Sequence, residues 1–347
     1  MAVWLCAQNL SAQKGFSLRV AGGYGWPGFL NNEEVAGPKV DPYTPYDDAL
    51  VPFANITRAN YDSVRSYEAV HGSYGKGINF TLGLGYNINS YLNVEMGVSF
   101  LKSATISCKQ NYQLLIIPAP GIPPTYVPGY NLEAIMKTNA LAVSLNPSLT
   151  VKGAKPGWKV YPYARAGITL PVYGGLTHTV DITVADSSGN GPSTGLGNVL
   201  KGEPYFLGHH THVKLKTEGT VSVGFNGAVG IMYQPLPYLS VFAEVNGQYL
   251  RTRAKSTEVE EWMADGVDKV EERGKYRTEF VFRDKLTHES NNGAYRPDDG
   301  DPTTKNYDPD KPKEDLRPSG PFSYLGFNVG LAFMLSKETL KKKEKKK

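Results

Sequence analysis

Ile78-Asn-Phe-Thr-Leu-Gly-Leu-Gly-Tyr-Asn-Ile88 alternates without a fault, and after Asn89-Ser90-Tyr91 the pattern resumes as Leu92-Asn-Val-Glu-Met-Gly-Val-Ser-Phe100. Ile78, Phe80, Leu82, Leu84, Tyr86 and Ile88 fall on one face; Asn79, Thr81, Gly83, Gly85 and Asn87 fall on the other. A period of two is the signature of a strand with two unlike faces, not of a helix. Two such runs around a tight polar turn predict a hairpin.

Working outward, the same pattern recurs. Residues 139–151 set Leu141, Val143, Leu145, Leu149 and Val151 against Ala142, Ser144, Asn146, Ser148 and Thr150. After a short turn at 153–157, Trp158, Val160, Ala164, Ala166, Ile168, Leu170 and Val172 oppose Tyr161, Tyr163, Arg165, Gly167 and Thr169. A third pair runs from Val221 to Tyr233, turns at Pro235-Leu236-Pro237, and returns through Leu239, Val241, Ala243, Val245 and Tyr249. Single strands at 16–26 and 322–335 flank the set. Three connections are tight (89–90, 153–157, 235–237) and four are long (27–75, 104–136, 174–216, 254–318). Strict alternation of short and long connections is the asymmetry of membrane barrels. The predicted fold is all-β: an eight-stranded, antiparallel, up-and-down transmembrane β-barrel with four long extracellular loops and three short periplasmic turns.

The character of the second face separates this reading from a soluble barrel. Water-facing strand positions are rich in Lys, Glu, Gln and Thr, whereas here the face is Gly, Ala, Ser and Asn. Small residues suit the crowded lumen of a narrow barrel. The apolar face would then meet lipid, where a charge costs about 2–4 kcal/mol at the midplane; no charged residue falls on it. The small-residue face does carry Arg19, Glu95, Arg165 and Glu244, two bases and two acids. Isolated buried charges are costly, so these four are expected to pair in the lumen. Tyr86, Tyr91, Trp158, Tyr233 and Tyr238 gather near the turns, and Trp26, Phe100, Tyr173, Tyr249 and Tyr324 near the loops. They are the expected interfacial aromatics.

The net charge of +4 comes from the end of the chain, where Lys337–Lys347 holds seven Lys and two Glu. The body is close to neutral, which excludes a nucleic-acid footprint. Residues 1–13 read as the remnant of a secretory signal, 14–336 as the barrel, and 337–347 as a Lys-rich periplasmic tail. Cys6 matches a lipidation site poorly, and Cys108 stands alone, so no disulfide framework is expected.

No strong chemical motif appears. His209, His210 and His212 are the densest histidine cluster, a weak metal candidate without a supporting Cys. Asp298-Asp299-Gly300-Asp301 and Asp308-Pro309-Asp310 offer oxygens but lack calcium-loop spacing. Between Lys255 and Arg317 lie 17 acids and 12 bases, the composition of a solvated loop. Within it Glu258–Glu272 reads as a short helix, and Tyr276–Phe282 as a strand extended above the membrane. The apolar, Pro-rich stretch 112–130 reads as a loop packed on its neighbours. His178, Asp186, Ser187 and Ser188 are near in sequence, but no motif fixes them as a lipid-acting catalytic set. Neither enzymatic activity nor a cofactor is expected.

The last strand, Tyr324-Leu-Gly-Phe-Asn-Val-Gly-Leu-Ala-Phe-Met-Leu335, resembles the C-terminal assembly signal of small bacterial outer-membrane β-barrels of the outer-membrane-protein-A-like and porin-like type. Asn328, Gly330, Phe333 and Leu335 carry the pattern; the chain departs from it in lacking a terminal aromatic. The resemblance implies a bacterial outer-membrane location, and surrounding lipid and the barrel-assembly machinery as partners. The resemblance implies no task; the long loops themselves suggest a structural or surface-interaction role with an unidentified extracellular partner. The alternatives are a barrel that binds or passes a small hydrophobic ligand and a lipid-modifying enzyme.

Overall fold

The computed structural model describes residues 15–27, 33–37, 51–52, 54–60, 63–116, 125–153, 158–186, 210–293 and 308–335. Eight wall strands follow in order: β1 (Gly15–Trp26), β2 (Gly77–Asn87), β3 (Leu92–Ser103), β4 (Thr125–Lys152), β5 (Val160–Asp186), β6 (Gly224–Leu236), β7 (Leu239–Tyr249) and β8 (Tyr324–Leu335). Each pairs antiparallel with the next. The ladder closes where β1 meets β8, from Phe16↔Leu335 to Trp26↔Leu325. The fold is therefore the closed, eight-stranded, antiparallel all-β barrel that the alternation predicts.

The two faces are inverted relative to a soluble protein. Outside lie Ile78, Leu84, Met96, Leu149, Val229, Ile231, Phe327 and Val329, all exposed. Inside lie Ser17, Asn79, Asn93, Ser144, Thr150, Thr169, Asn246 and Asn328, all buried. Glycines let this narrow interior close. A Cβ on Gly330 would fall 2.2 Å from the Val20 carbonyl and 2.4 Å from the Phe242 ring. At the first turn the Asn89 side-chain oxygen accepts the N–H groups of Tyr91 and Leu92, each at 2.8 Å, which fixes the hairpin register.

The long connections differ from the expected open loops, because much of them is ladder. β4 and β5 run for 28 and 27 residues, well beyond the ~9–11 that a tilted span requires. Their upper halves pair with each other, with Ile106–Ile116 on the β4 side and with His210–Gly219 on the β5 side. Arg251–Ala264 continues the line of β7 and pairs with His210–Gly219. A hairpin, Ala54–Asn60 with Ser63–Ala69, joins Ile106–Ile116 by two parallel pairs. This extension has its own apolar core, including Met136, Val180, Ile182, Leu215, Trp262 and Phe280. We call it the roof.

The helix expected at Glu258–Glu272 is not formed. Residues up to Ala264 are strand, and a 3₁₀ turn occupies Glu271–Arg273. The register shifts on either side of Leu215–Glu218 leave Lys255 and Glu260 as extra residues opposite the partner strand. Buried positions therefore fall at Ala254, Thr257, Val259 and Trp262, spacings of three and two that imitate a helical stripe. The strand expected at Tyr276–Phe282 is shorter too. Lys275–Thr278 is a helical turn behind Gly274, whose φ of 69° favours glycine, and only Glu279–Arg283 is strand. Residues 221–223, expected within a strand, lie outside the ladder. Phe322 and Ser323 precede β8 and are buried.

Candidate functional site

Two features of the barrel carry chemistry, and the first is its filled lumen. Near the turn end Ala21, Tyr161, Tyr163, Met232 and Phe242 form an apolar layer. Beside it stand the four charges, one from each odd-numbered strand through β7. Arg165 reaches Glu244 at 2.9 Å, and Arg19 donates to the other Glu244 oxygen. Both arginines also stand 3.5 Å from Glu95. Tyr163 Oη donates to Glu244 at 2.7 Å and Asn328 Nδ2 at 3.1 Å. The Arg19 guanidinium lies 4.2 Å above the centre of the Phe242 ring. Glycines on the intervening strands make room: a Cβ on Gly83 would fall 2.6 Å from the Glu95 carboxyl, and one on Gly230 2.8 Å from Glu244. Further toward the loop end a polar layer of Ser99, Asn146, Asn226, Asn246 and Tyr324 leaves a cavity of only about 30 Å³. Above it Tyr74, Leu101, Ala142, Leu176, Leu250 and Phe322 form an apolar plug.

The second feature is a break in the wall. His210–Gly219 and β6 form one descending line beside β5, pairing at Gly175↔Glu218 above and Thr169↔Gly224 below. Between those pairs residues 170–174 of β5 are laddered only to β4. Gly219 instead pairs with Ala254, and the Arg253 carbonyl accepts the N–H of Thr220 at 2.7 Å. The unpaired interval spans roughly 20 Å of strand at ~3.4 Å per residue. The local sequence Leu170-Pro-Val-Tyr-Gly-Gly175 explains it. Pro171 has no N–H to give a ladder. Val172 is an extra residue where the register with β4 shifts. Gly174 has φ 134°, and a Cβ there would fall 2.1 Å from the Leu141 carbonyl.

Behind the break lies a pocket of about 340 Å³. Its floor is the apolar plug: Tyr74, Ala142, Leu176, Leu250 and Phe322. Val172, Tyr173 and Val221 stand at the mouth and are exposed on the outer apolar belt. Lys216, Glu218, Arg253 and Ser319 edge the roof side. Volume and lining are those of small-molecule sites. The sequence signals that mark this pocket, a proline and paired glycines inside a strand, were available; Tyr74 and Phe322 gave none, because the long connections bring them in.

Other sequence candidates are placed as follows. Tyr86, Trp158, Tyr233 and Tyr249 are exposed on the outer face; the first three lie by the turns and Tyr249 toward the roof. Tyr86 meets Phe16 edge-on at 5.4 Å. Tyr324, expected with them, instead faces the lumen and accepts a hydrogen bond from Asn246 at 3.2 Å. In β8, Asn328 is buried while Leu335 is exposed; Gly330 packs on Phe242, and Phe333 pairs with Leu18 and Leu239.

His210 starts a strand, and His212 Nδ1 contacts Asp181 at 2.6 Å. His209 lies outside the described residues. Among the described residues no three His, Cys, Asp or Glu side chains group to hold a metal ion. Asp308 is engaged by Lys311 at 3.0 Å and by the Asp310 N–H. His178 is fully buried against Thr138, 2.8 Å away, and burial pulls its pKa down to about 3. It is sealed from any substrate; Ser187 and Ser188 lie outside the described residues. Burial pushes the Cys108 thiol up to about 12, which leaves it unreactive. Residues 1–13, 117–124, 298–301 and 337–347 also lie outside the described residues.

No family model matches this chain, and no curated protein does. Among solved structures, the crystal structure of the outer membrane protein OprG from Pseudomonas aeruginosa is similar over 93% of this chain and 96% of that one, at 9% identity and a TM-score of 0.36.

Proposed function

We propose that this chain is an integral protein of a bacterial outer membrane that holds a small apolar or amphipathic molecule in the pocket behind the wall break. The membrane part of the reading rests on the uninterrupted apolar belt around a polar lumen. Soluble monomers rarely expose apolar patches beyond a few hundred Å², and in lipid a closed ladder satisfies its backbone internally. The ligand part rests on one observation: between Thr169 and Gly175, β5 and its descending neighbour separate and open onto a pocket of about 340 Å³ with an apolar floor. Entry is sideways, because the charge cluster and the plug fill the axis. The role is one of binding, without catalysis. The long connections serve first as a roof over the pocket. A second, surface-interaction role is favoured by the hairpin at 54–69, where Val64 and Tyr67 stand exposed. Lipid and the barrel-assembly machinery remain the proposed partners in the envelope.

The test uses the full chain refolded into phosphatidylcholine vesicles and the apolar fluorophore N-phenylnaphthylamine. Saturable binding is expected, weakened at least tenfold by Ala142→Trp, which fills the pocket, while heat-modifiable gel migration persists. Single-channel recordings should show no large, stable steps. Absence of saturable binding, or equal binding by Ala142→Trp, would overturn the ligand reading.

A further inference from the structure

On the outer face, immediately above the apolar belt, stand three lysines, none of which is in an ion pair with a carboxylate among the described residues. Lys102 follows Phe100 on the outward side of β3, Lys137 follows Leu141 and Asn139 on β4, and Lys216 follows on the strand beyond β5. Registers place them on one continuous sheet: Lys102↔Leu141, Lys137↔Thr179, and Thr177↔Lys216. All three side chains are exposed. Strand spacing and rise set them roughly 12–16 Å apart, with Asn139, Thr177 and Thr179 between them.

The nearby carboxylates are mostly engaged elsewhere. Glu218 faces Lys255 at 3.6 Å, Asp181 holds His212, and Glu260 and Glu261 each hold Lys214 at 3.0 Å. Glu258 stands opposite Lys216 in the ladder, on the side away from Lys102 and Lys137. The cationic face thus continues the apolar belt upward, at the level where a barrel set in lipid meets headgroups. It also borders the wall break, since Lys216 lines the pocket mouth.

We propose that Lys102, Lys137 and Lys216 form a docking surface for the net-anionic, phosphate-bearing headgroups of the lipid that surrounds the barrel. This rests on the membrane reading above. The spacing is too wide for one phosphate, so the surface takes two or three phosphate groups side by side. Lys216 places one of them at the pocket entrance. Ammonium groups near an anionic lipid surface each contribute modestly and additively, and the effect is screened by salt.

The experiment is native mass spectrometry of the full chain in neutral detergent, titrated with phosphatidic acid, with phosphatidylcholine as neutral control and inorganic phosphate as competitor. The wild type should retain phosphatidic acid, and the triple variant Lys102→Gln/Lys137→Gln/Lys216→Gln should bind it more weakly, by on the order of a hundredfold. The double variant Lys269→Gln/Lys275→Gln, elsewhere on the roof, where the two lysines face Glu272 and Glu279, should bind as wild type does. Phosphatidylcholine should not distinguish the proteins, and millimolar inorganic phosphate should not displace the lipid. Unchanged affinity in the triple variant, an equal loss in the control variant, or equal retention of phosphatidylcholine would overturn the proposal. Insertion into phosphatidylcholine vesicles is scored separately: a triple variant that inserts but loses phosphatidic acid supports the docking surface, whereas a wild type that fails to insert overturns the membrane reading and this proposal with it.

Discussion

Glu244→Gln is the sharpest perturbation of the lumen, because Glu95→Gln is nearly the same chemical change at a differently built position. Glu244 is 1% exposed and receives both arginines, Tyr163 and Asn328. Its amide replacement keeps the volume but removes the charge and one acceptor, leaving Arg19 and Arg165 to share Glu95. Breaking a buried, hydrogen-bonded ion pair costs about 3–5 kcal/mol. Glu95 is also buried, yet its two arginine contacts are long, 3.5 Å each, and its Oε1 accepts no hydrogen bond. A neutral amide there loses mainly the longer-range attraction, which is worth less than the ~1.5–3 kcal/mol of a hydrogen bond to a charged group. The assay is urea unfolding in short-chain phosphatidylcholine vesicles, read by tryptophan emission and gel migration. Glu244→Gln should lose at least twice the stability that Glu95→Gln loses. Adding Arg165→Gln to Glu244→Gln should cost less than the two single changes together, since it restores charge balance. Equal losses for the two glutamates, or strict additivity in the cycle, would refute the account of a cluster centred on Glu244.

Protonation of His178 should loosen the roof: its imidazole titrates near 6.5 when unfolded and at about 3 when folded. The unfolded chain therefore takes up the extra proton, and stability falls as pH drops from ~6.5 toward 3 by up to ~1.4 kcal/mol per unit. Hydrogen exchange in residues 173–186 should quicken over that range, and His178→Leu should flatten the dependence. Trp262 is 1% exposed with the Arg273 guanidinium 3.5 Å from its ring centre. Trp262→Ala should cost the roof about 3–5 kcal/mol, seen as protease cleavage in residues 251–283 while the barrel keeps its heat-modifiable migration. Gly330→Ala drives a methyl into Val20 and Phe242 and should cost about 1–3 kcal/mol. Gly22→Ala, whose added Cβ meets only the Asn79 carbonyl at 4.0 Å, should shift the unfolding midpoint little.

The wall was legible because each span obeys one period. Ile78 to Ile88 and Leu92 to Phe100 carry both faces of the barrel in plain alternation, and parity alone places Arg19, Glu95, Arg165 and Glu244 on the inner face. Which charge dominates was not legible. The primacy of Glu244 depends on Tyr163 and Asn328, which strand tilt and register bring to it. The roof was hidden by its bulges. Lys255 and Glu260 each add a residue, so the buried positions of Arg251–Ala264 lose period two and read as a helix. Tyr324 was misplaced because an aromatic near a strand end looks alike whether it points in or out; only its place one residue off the Leu325–Phe327–Val329 face gives it away. The wall break was written in Pro171, Gly174 and Gly175, but its consequence depends on the path of residues 219–223, where Thr220 bonds to the Arg253 carbonyl across more than thirty residues of sequence.

An eight-stranded barrel has little interior to offer, since side chains fill it. This one fills its axis with charges, asparagines and an apolar plug, and finds volume by parting one strand line from β5. Parting has a cost: backbone groups of residues 170–174 lose ladder partners, and in lipid each unpaired group is expensive. The roof makes the arrangement stable. Val213 and Leu215 anchor the descending strand in the upper core, and the Thr220–Arg253 hydrogen bond holds its lower end aside. Below the break, Phe225↔Tyr249 and Ile168↔Phe225 return the same chain to the wall. The separation is thus held by burial above and by backbone hydrogen bonds below, neither of which involves a ligand, so the pocket is formed before anything enters it. A preformed pocket loses less free energy to ordering on binding than one that must open, and the polar groups left along its mouth give an amphipathic guest hydrogen-bond partners that a bare apolar cleft would lack.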